Sequence, residues 1–490
     1  MIVAALALLA AGPVIATDDG PVRGEVAAPG GAVFRGIPYA KPPVGPLRWR
    51  APERPAPWRT PIDTIAEHKA CPQPVYGEWN RKAAENSAED CLFLDIRTPS
   101  LAQGAKLPVL VWIHGGGNRG GAAGGTVESR ITDGGIVLVS LQYRLGALGF
   151  MSHAALSAEN KGSLGNYALL DQQFALAWIR RNIARFGGDP ARVTIAGQSA
   201  GAQDVALQQL LPGSRGLFAQ AIQESGTAGF GVAPRTLAQN ERLGDLIARS
   251  AGAPAGATAA QLRALPAAAL VAAQEVVDVP DLDDDSFIWL QAVVDGTILP
   301  DDPARLLASG RRAPVPLIAG VNARELTLHG GRAAAVATVR REFPRAPDRA
   351  LSFYGLGAGR TPAADPRLGD VTVQLADDLT FRCPTVALSR LVATQGGRMW
   401  QYQFDYGGPT GAIVAHSSEL RYVFDAPAPG SPPLQTYWLN FVRTGDPNGA
   451  QLASWPRYDA RTRGYLSFTD AGAVAGRDLR GAICGLRDTP

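Results

Sequence analysis

Five short apolar runs, rich in β-branched and aromatic residues, recur along this 490-residue chain: VLVWI (109–113), IVLVSLQY (136–143), VTIAG (193–197), PLIAGV (316–321) and MWQYQF (399–404). Their length and composition fit strands buried on both faces. Stretches of helical periodicity lie between them. The clearest is 167–187, where Leu170, Phe174, Ala177, Trp178 and Ile183 fall near a 3.6-residue period and a Gly-Gly pair ends the run. Strands alternating with helices predict an α/β chain: a mostly parallel, doubly wound central sheet with helices on both faces. The Pro/Ala-rich stretches 252–275 and 328–366 read as excursions over the carboxyl ends of the strands, where such sheets bind ligands.

No repeat, low-complexity linker or charge block divides the chain, so 17–490 reads as a single domain. Net charge is +3 with Lys and Arg scattered, which argues against a nucleic-acid or membrane-surface partner. The acidic run Asp278–Asp285 lacks the glycine turn of a calcium loop and reads as a solvated loop. Residues 1–16 form a short apolar segment with small residues, Val14 and Ala16, where a signal peptidase reads. It is too short to span a bilayer and predicts an export signal cut after Ala16, hence a secreted or periplasmic protein with no membrane span once the signal is removed. Four cysteines, Cys71, Cys91, Cys383 and Cys484, suggest two disulfides in one of three pairings. No Cys-x-x-Cys or His-x-x-x-His spacing occurs, so neither a metal nor a cofactor is expected.

The run VTIAG leads into Gly197-Gln198-Ser199-Ala200-Gly201, the G-x-S-x-G pattern of a nucleophile on a sharp strand-to-helix turn. Glycines there let the helix pack against the strand while the serine takes a strained conformation. The pentapeptide alone is weak, but a strand before it and a helical QDVALQQLL after it strengthen the reading. A nucleophilic serine needs a base, and the chain has five histidines, of which only His329 and His416 follow Ser199. With the chain order serine, acid, histidine, His416 in VAHSSELRYVF is the better base, and His329 beside Gly330-Gly331 reads as an exposed loop residue. Glu325, just beyond PLIAGV, is the favoured acid, with Asp295, Asp301 and Asp405 as alternatives. The strand VLVWI runs into His114-Gly115-Gly116-Gly117, where the amides of Gly116 and Gly117 could join that of Ala200 around an oxyanion. A phosphate loop is excluded there, because no Lys-Ser/Thr follows the glycines.

Several ordered segments together resemble the type B carboxylesterase/lipase family, the α/β-hydrolases that include the cholinesterases. They are FRGIPYAKPPVGPLRWRAP (34–52), EDCLFLDI (89–96), FGGDPARVTIAGQSAG (186–201), VNARE, HSSELRYVF and RTGDPNGAQLASWPRY (443–458). The resemblance implies Ser199, Glu325 and His416 as a triad, a Cys71–Cys91 disulfide near the active-site gorge, and Cys383–Cys484 as the second. It also implies that Ser225 supports the triad. Two positions depart from the pattern. Leu326 stands where the family usually has Gly after the acid, and Gln198 replaces the Glu that cholinesterases carry beside the nucleophile. Trp79 falls in the disulfide loop where cholinesterases keep a choline-binding Trp, at a different offset, and reads better as a gorge-wall residue. Phe287 and Trp289 are candidates for an acyl pocket. The expected function is hydrolysis of small neutral carboxylic esters through an acyl-enzyme. A lipase, a specialised toxin or aromatic esterase, and a non-catalytic adhesion-type relative are the alternatives, the last opposed by the three filled triad positions.

Overall fold

The computed structural model describes residues 12–27, 30–159, 164–229, 234–277 and 292–487. Among them, eleven strands form one sheet: β1 (Glu25–Ala27), β2 (Gly31–Pro38), β3 (Phe93–Thr98), β4 (Leu107–Ile113), β5 (Val137–Leu141), β6 (Gly188–Gln198), β7 (Gln220–Glu224), β8 (Leu317–Asn322), β9 (Met399–Asp405), β10 (Gly464–Thr469) and β11 (Gly472–Arg477). Their spatial order is β1-β2-β3-β5-β4-β6-β7-β8-β9-β10-β11. Every pairing from β5 through β10 is parallel, and antiparallel strands close both flanks. The five apolar runs are the central strands β4, β5, β6, β8 and β9. The central β7 and the flanking strands escape that pattern because they mix in polar residues, as Gln220, Gln223 and Glu224 in β7, Asp95 and Arg97 in β3 and Ser467 in β10.

The pleat of β4 explains why the sheet needs cover on both sides. Val109, Val111 and Ile113 point into one apolar cluster, Leu110 and Trp112 into the other. On the first face lie α1 (Tyr167–Asn182), bringing Leu169, Leu176, Trp178 and Ile179, and α2 (Ala200–Gln208), bringing Val205 and Leu207. On the second lies α3 (Leu434–Thr444), with Tyr437, Trp438 and Phe441. The periodic run at 167–187 is α1 and a single 3-10 turn, stopped where Gly187 takes φ +82°. Within the Pro/Ala-rich stretches, Ala259–Arg263, Ala267–Gln274, Gly331–Glu342 and Pro347–Phe353 are helices. Cys71 is bonded to Cys91 and Cys383 to Cys484. The acidic run 278–285 lies outside the described residues, and among those described no helix is long and apolar enough to cross a membrane.

At the N-terminus, residues 1–11 of the expected export signal lie outside the described residues, but its last three are structured. Val14–Ala16 pairs antiparallel with Pro21–Arg23, which pairs in turn with Ile62–Asp63, and Ile15 packs against the main core. A cut after Ala16 would strip that strand from its sheet. A chain beginning at Thr17 is therefore expected to melt at a lower temperature than one beginning at Gly12, and equal melting temperatures would show that the strand contributes nothing to stability.

Candidate active site

β6 ends at Gln198, and Ser199 turns the chain into α2 with φ +58° and ψ −127°, a conformation rare for any residue with a side chain. The turn is held by the Ser199 amide, which donates to Glu224 O at 2.8 Å, and by the Gln203 amide, which donates to Ser199 O at 3.0 Å. The glycines on either side answer to close packing. A Cβ on Gly197 would lie 2.5 Å from the Gly201 backbone, and one on Gly201 would collide with Ile113 O at the end of β4.

Glu325 and His416 follow β8 and β9, the second and third strands beyond β6 in the sheet. Glu325 lies three residues beyond β8; its Oε1 accepts from Ser225 Oγ and from the Asn322 amide, both at 2.6 Å. Its Oε2 lies 2.6 Å from His416 Nδ1, and the segment after β9 brings His416 to it. With the proton on Nδ1, Nε2 carries the lone pair, and the Gln198 amide nitrogen donates to it at 3.1 Å. Burial pulls the imidazolium pKa down, but the hydrogen bond and charge of Glu325, helped by Glu419, more than offset it and leave His416 above its ordinary value. Asp377 secures the acid from behind by accepting from the Glu325 and Leu326 amides at 3.1 and 2.7 Å, so Leu326 is held at the position where the resemblance has Gly.

Ser199 and His416 line one cavity of about 710 Å³, together with Gly115, Gly116 and Gly117. The glycine loop follows β4, with Gly116 at φ +108° and Gly117 at φ +64°. Among the described residues, none of the amides of Gly116, Gly117 and Ala200 donates to a protein acceptor. His114, at the start of the loop, is neutral, because burial lowers its pKa to about 4 against the smaller upward pull of its hydrogen bond with Gly115 O. Trp79 stands at the mouth, 62% exposed and stacked on Tyr76, in the loop closed by Cys71–Cys91. Trp112 and Leu420 form another wall, and Arg119 supplies a cation over the Tyr76 ring and 3.6 Å from Glu275. A second hollow of about 780 Å³, at the β9–β11 edge, holds none of these groups.

Of the residues singled out in the sequence, Ser199, Glu325, His416, Ser225, Gln198, Trp79, Gly116, Gly117 and Ala200 are brought together here. Phe287 and Trp289 lie outside the described residues. The alternative acids are engaged elsewhere: Asp295 accepts from the amides of a turn at 297–299, Asp301 pairs with Arg305, and Asp405 pairs with Arg367. His329 is exposed, as read. Sequence reasoning missed Tyr76, Arg119 and Leu420, as well as Trp112, which its strand disguised as core. Position offered one signal for Trp112, since it stands at the carboxyl end of a parallel strand, where such sheets bind ligands. Among the described residues, no group of three or more His, Cys, Asp or Glu side chains is placed to hold a metal ion. A hydroxyl, an imidazole oriented by a carboxylate, and amide donors around one cavity are the parts that acyl transfer through a serine requires.

Comparison with known proteins points the same way. A family model described as the carboxylesterase family matches residues 11–484, a span that starts ahead of the Val14–Ala16 strand. The chain is 33% identical over 512 residues to a medium-chain fatty acyl-CoA hydrolase precursor of Anas platyrhynchos, covering 93% of this chain and 88% of that one. It is 32% identical to carboxylesterase 1E of Rattus norvegicus, covering 93% and 90%. Among solved structures, a PNB esterase superposes with a TM-score of 0.80 at 28% identity, covering 96% of this chain and 99% of that one. A Geobacillus stearothermophilus carboxylesterase, EST55, superposes with a TM-score of 0.80 at 29% identity, covering 97% and 100%.

The Gln198–His416 contact yields a direct expectation. Gln198→Glu places a carboxylate beside Nε2, so the His416 titration midpoint, followed by NMR in histidine-labelled protein, is expected to rise above that of the wild type. An unchanged or lower midpoint would show that the two side chains do not meet.

Proposed function

The chain belongs to the carboxylesterase family, and from that premise we propose that Ser199, His416 and Glu325 are its catalytic triad and Gly116, Gly117 and Ala200 its oxyanion hole. The protein is a serine ester hydrolase of the α/β-hydrolase fold. The observation that carries the triad assignment is the 2.6 Å hydrogen bond between His416 Nδ1 and Glu325 Oε2, because it aims the basic nitrogen at the cavity that Ser199 shares. Each role follows from chemistry. His416 Nε2 takes the Ser199 proton as Oγ attacks the ester carbonyl, the Ser199 hydroxyl replacing the Gln198 amide at that lone pair. The carbonyl oxygen becomes an oxyanion and receives the three amides, each worth about 3 kcal/mol in the transition state. The imidazolium, held by Glu325, then protonates the leaving alcohol. A water molecule activated by the same base attacks the acyl-enzyme and frees the acid and Ser199.

We propose neutral carboxylic esters as the substrates. Among the described lining residues there is no carboxylate to attract a cation, Gln198 is neutral, and Trp79, Trp112 and Leu420 offer apolar walls. The two disulfides support work in an oxidising compartment, secreted or periplasmic.

An organophosphate is expected to label Ser199 stoichiometrically and to abolish hydrolysis of p-nitrophenyl butyrate. A folded, unlabelled protein that still cleaves the ester would remove Ser199 from the reaction. Glu325→Gln is expected to lower kcat by about 10⁴-fold, the scale seen when an amide replaces the carboxylate of such a triad, and full activity would exclude Glu325. The imidazole must be neutral to accept the proton, and its pKa is raised. Activity should therefore be lost as pH falls through a midpoint above the ordinary histidine value of about 6.5. A kcat/KM profile with its acid limb well below that value would rule out His416 as the base.

A further inference from the structure

The amides assigned to the oxyanion hole come from two separate elements, the loop after β4 and the first turn of α2, so their convergence depends on what ties the two together. The near end of the loop is pinned at His114, whose carbonyl accepts from Tyr143 Oη at 2.6 Å. The far end is Asn118, which follows Gly117 directly, is buried, and sits at φ +56°. Asn118 O accepts from the Gly146 amide at 2.7 Å. Asn118 Nδ2 donates across to Asp204 Oδ1 at 3.2 Å, and Asp204 belongs to α2, five residues beyond Ser199.

Asp204 is fully buried, and its partners explain why a carboxylate stands there. Its other oxygen accepts from Gln172 Nε2 of α1 at 2.6 Å. The Gln172 amide cannot turn over freely, because its oxygen accepts from Gln208 Nε2 at 3.0 Å. Gln208 is fixed in turn by Leu169 O and by Ser214 Oγ. Two donors, from α1 and from the loop, therefore converge on Asp204, and a carboxylate offers an acceptor to each. Burial raises the Asp204 pKa to about 7, and the hydrogen bonds from Gln172 and Asn118 pull against that rise.

We propose that Asp204 is a positioning residue for ester hydrolysis: through Asn118 it bridges the glycine loop to the Ser199 helix and so sets the spacing between the Gly116 and Gly117 amides and that of Ala200. The inference rests on the serine-hydrolase reading above. It extends that reading to a group that touches neither substrate nor triad.

The test is a cycle of Asn118→Ala, Asp204→Ala and the double variant, beside the exchanged pair N118D/D204N. In the exchange the new amide at position 204 donates through its nitrogen to the new carboxylate at position 118, and its oxygen still accepts from Gln172. Because losing one oxyanion donor outright lowers kcat by about 10²-fold or more, loosening the set is expected to lower kcat about tenfold with KM within about twofold. The affinity for a trifluoromethyl ketone, whose hemiketal oxygen mimics the oxyanion, should fall in step. The double variant should be no worse than the poorer single one, and the exchanged pair should recover most of the lost rate. Losses that multiply in the double variant, an unchanged kcat in both single variants, or no recovery in the exchange would overturn the proposal. Melting temperatures identify any variant that fails to fold, and the exchanged pair then decides, since it keeps both buried hydrogen bonds. Wild-type protein that an organophosphate does not label would fail the underlying reading instead, whereas the Ala variants should still be labelled at Ser199, only more slowly.

Discussion

The contact on which the site depends is between two backbones, Gly201 at the start of α2 and Ile113 O at the end of β4. No side chain, not even a methyl, fits between them. Because β4 and β6 pair in register, with Ile113 opposite Gly197, both strands leave the sheet at the same edge. The glycine loop that follows one and the serine turn that follows the other are therefore neighbours by construction. Ser199 must absorb the sharp reversal between β6 and α2, and strain of that kind costs about 1–3 kcal/mol. It persists because the flanking strand and helix are buried and leave the turn no alternative path. The same reversal puts the first amides of a helix next to the hydroxyl, where negative charge develops on an attacked carbonyl.

Beneath this turn the protein gathers acids. Glu224 ends β7 and accepts from Trp438 Nε1 at 2.8 Å; Glu419 accepts from Asn322 Nδ2 at 2.7 Å. Burial raises the pKa of both, and for Glu419 the nearby Glu224 and Glu325 add to the rise. Glu224 Oε2 and Glu419 Oε1 are buried without a hydrogen-bond partner among the described residues, which adds to the cost of charging either carboxyl. Asp377 is also raised, to about 8, chiefly by burial and further by Glu325, with Arg382 pulling the other way. Arg382 itself is fully buried, paired with Asp378 and donating to Ala323 O at 2.8 Å just ahead of Glu325. The acid that orients His416 is thus set in a buried, polar bed, in which burial disfavours the charged form of Glu224, Glu419 and Asp377.

How much of this could be read in advance depended on how few residue types each task allows. Hydrolysis through a serine needs a base, and in the α/β-hydrolase order of serine, acid and histidine only His329 and His416 qualified. The glycine loop was legible because tight backbone turns exclude other residues. Five of the central strands were legible because burial on both faces favours apolar side chains, whereas β7, with buried Gln220, Gln223 and Glu224, showed no apolar run. The acids behind the triad were not legible. Glu224 in QESG and Glu419 in HSSEL look like any surface glutamate, and only the fold shows that Trp438 and Asn322 cover them. Asp204 was hidden for the same reason. On a helix of mixed composition it reads as a solvated side chain, and the donors that justify it, Asn118 and Gln172, lie 86 and 32 residues away in sequence.

Gln198 gains its meaning from this setting. Glu325 and Glu419 already raise the pKa of His416 against the effect of burial. A base that must be neutral to work has little room for a further negative neighbour, since each one extends the range over which the imidazole stays protonated and idle. A carboxylate at position 198 would press on Nε2, the nitrogen proposed to receive the serine proton. The amide keeps a hydrogen-bonding partner there at 3.1 Å without adding charge. The residue that adds no negative charge to the cavity therefore also limits the upward shift of His416, and both effects fit the neutral esters proposed as substrates.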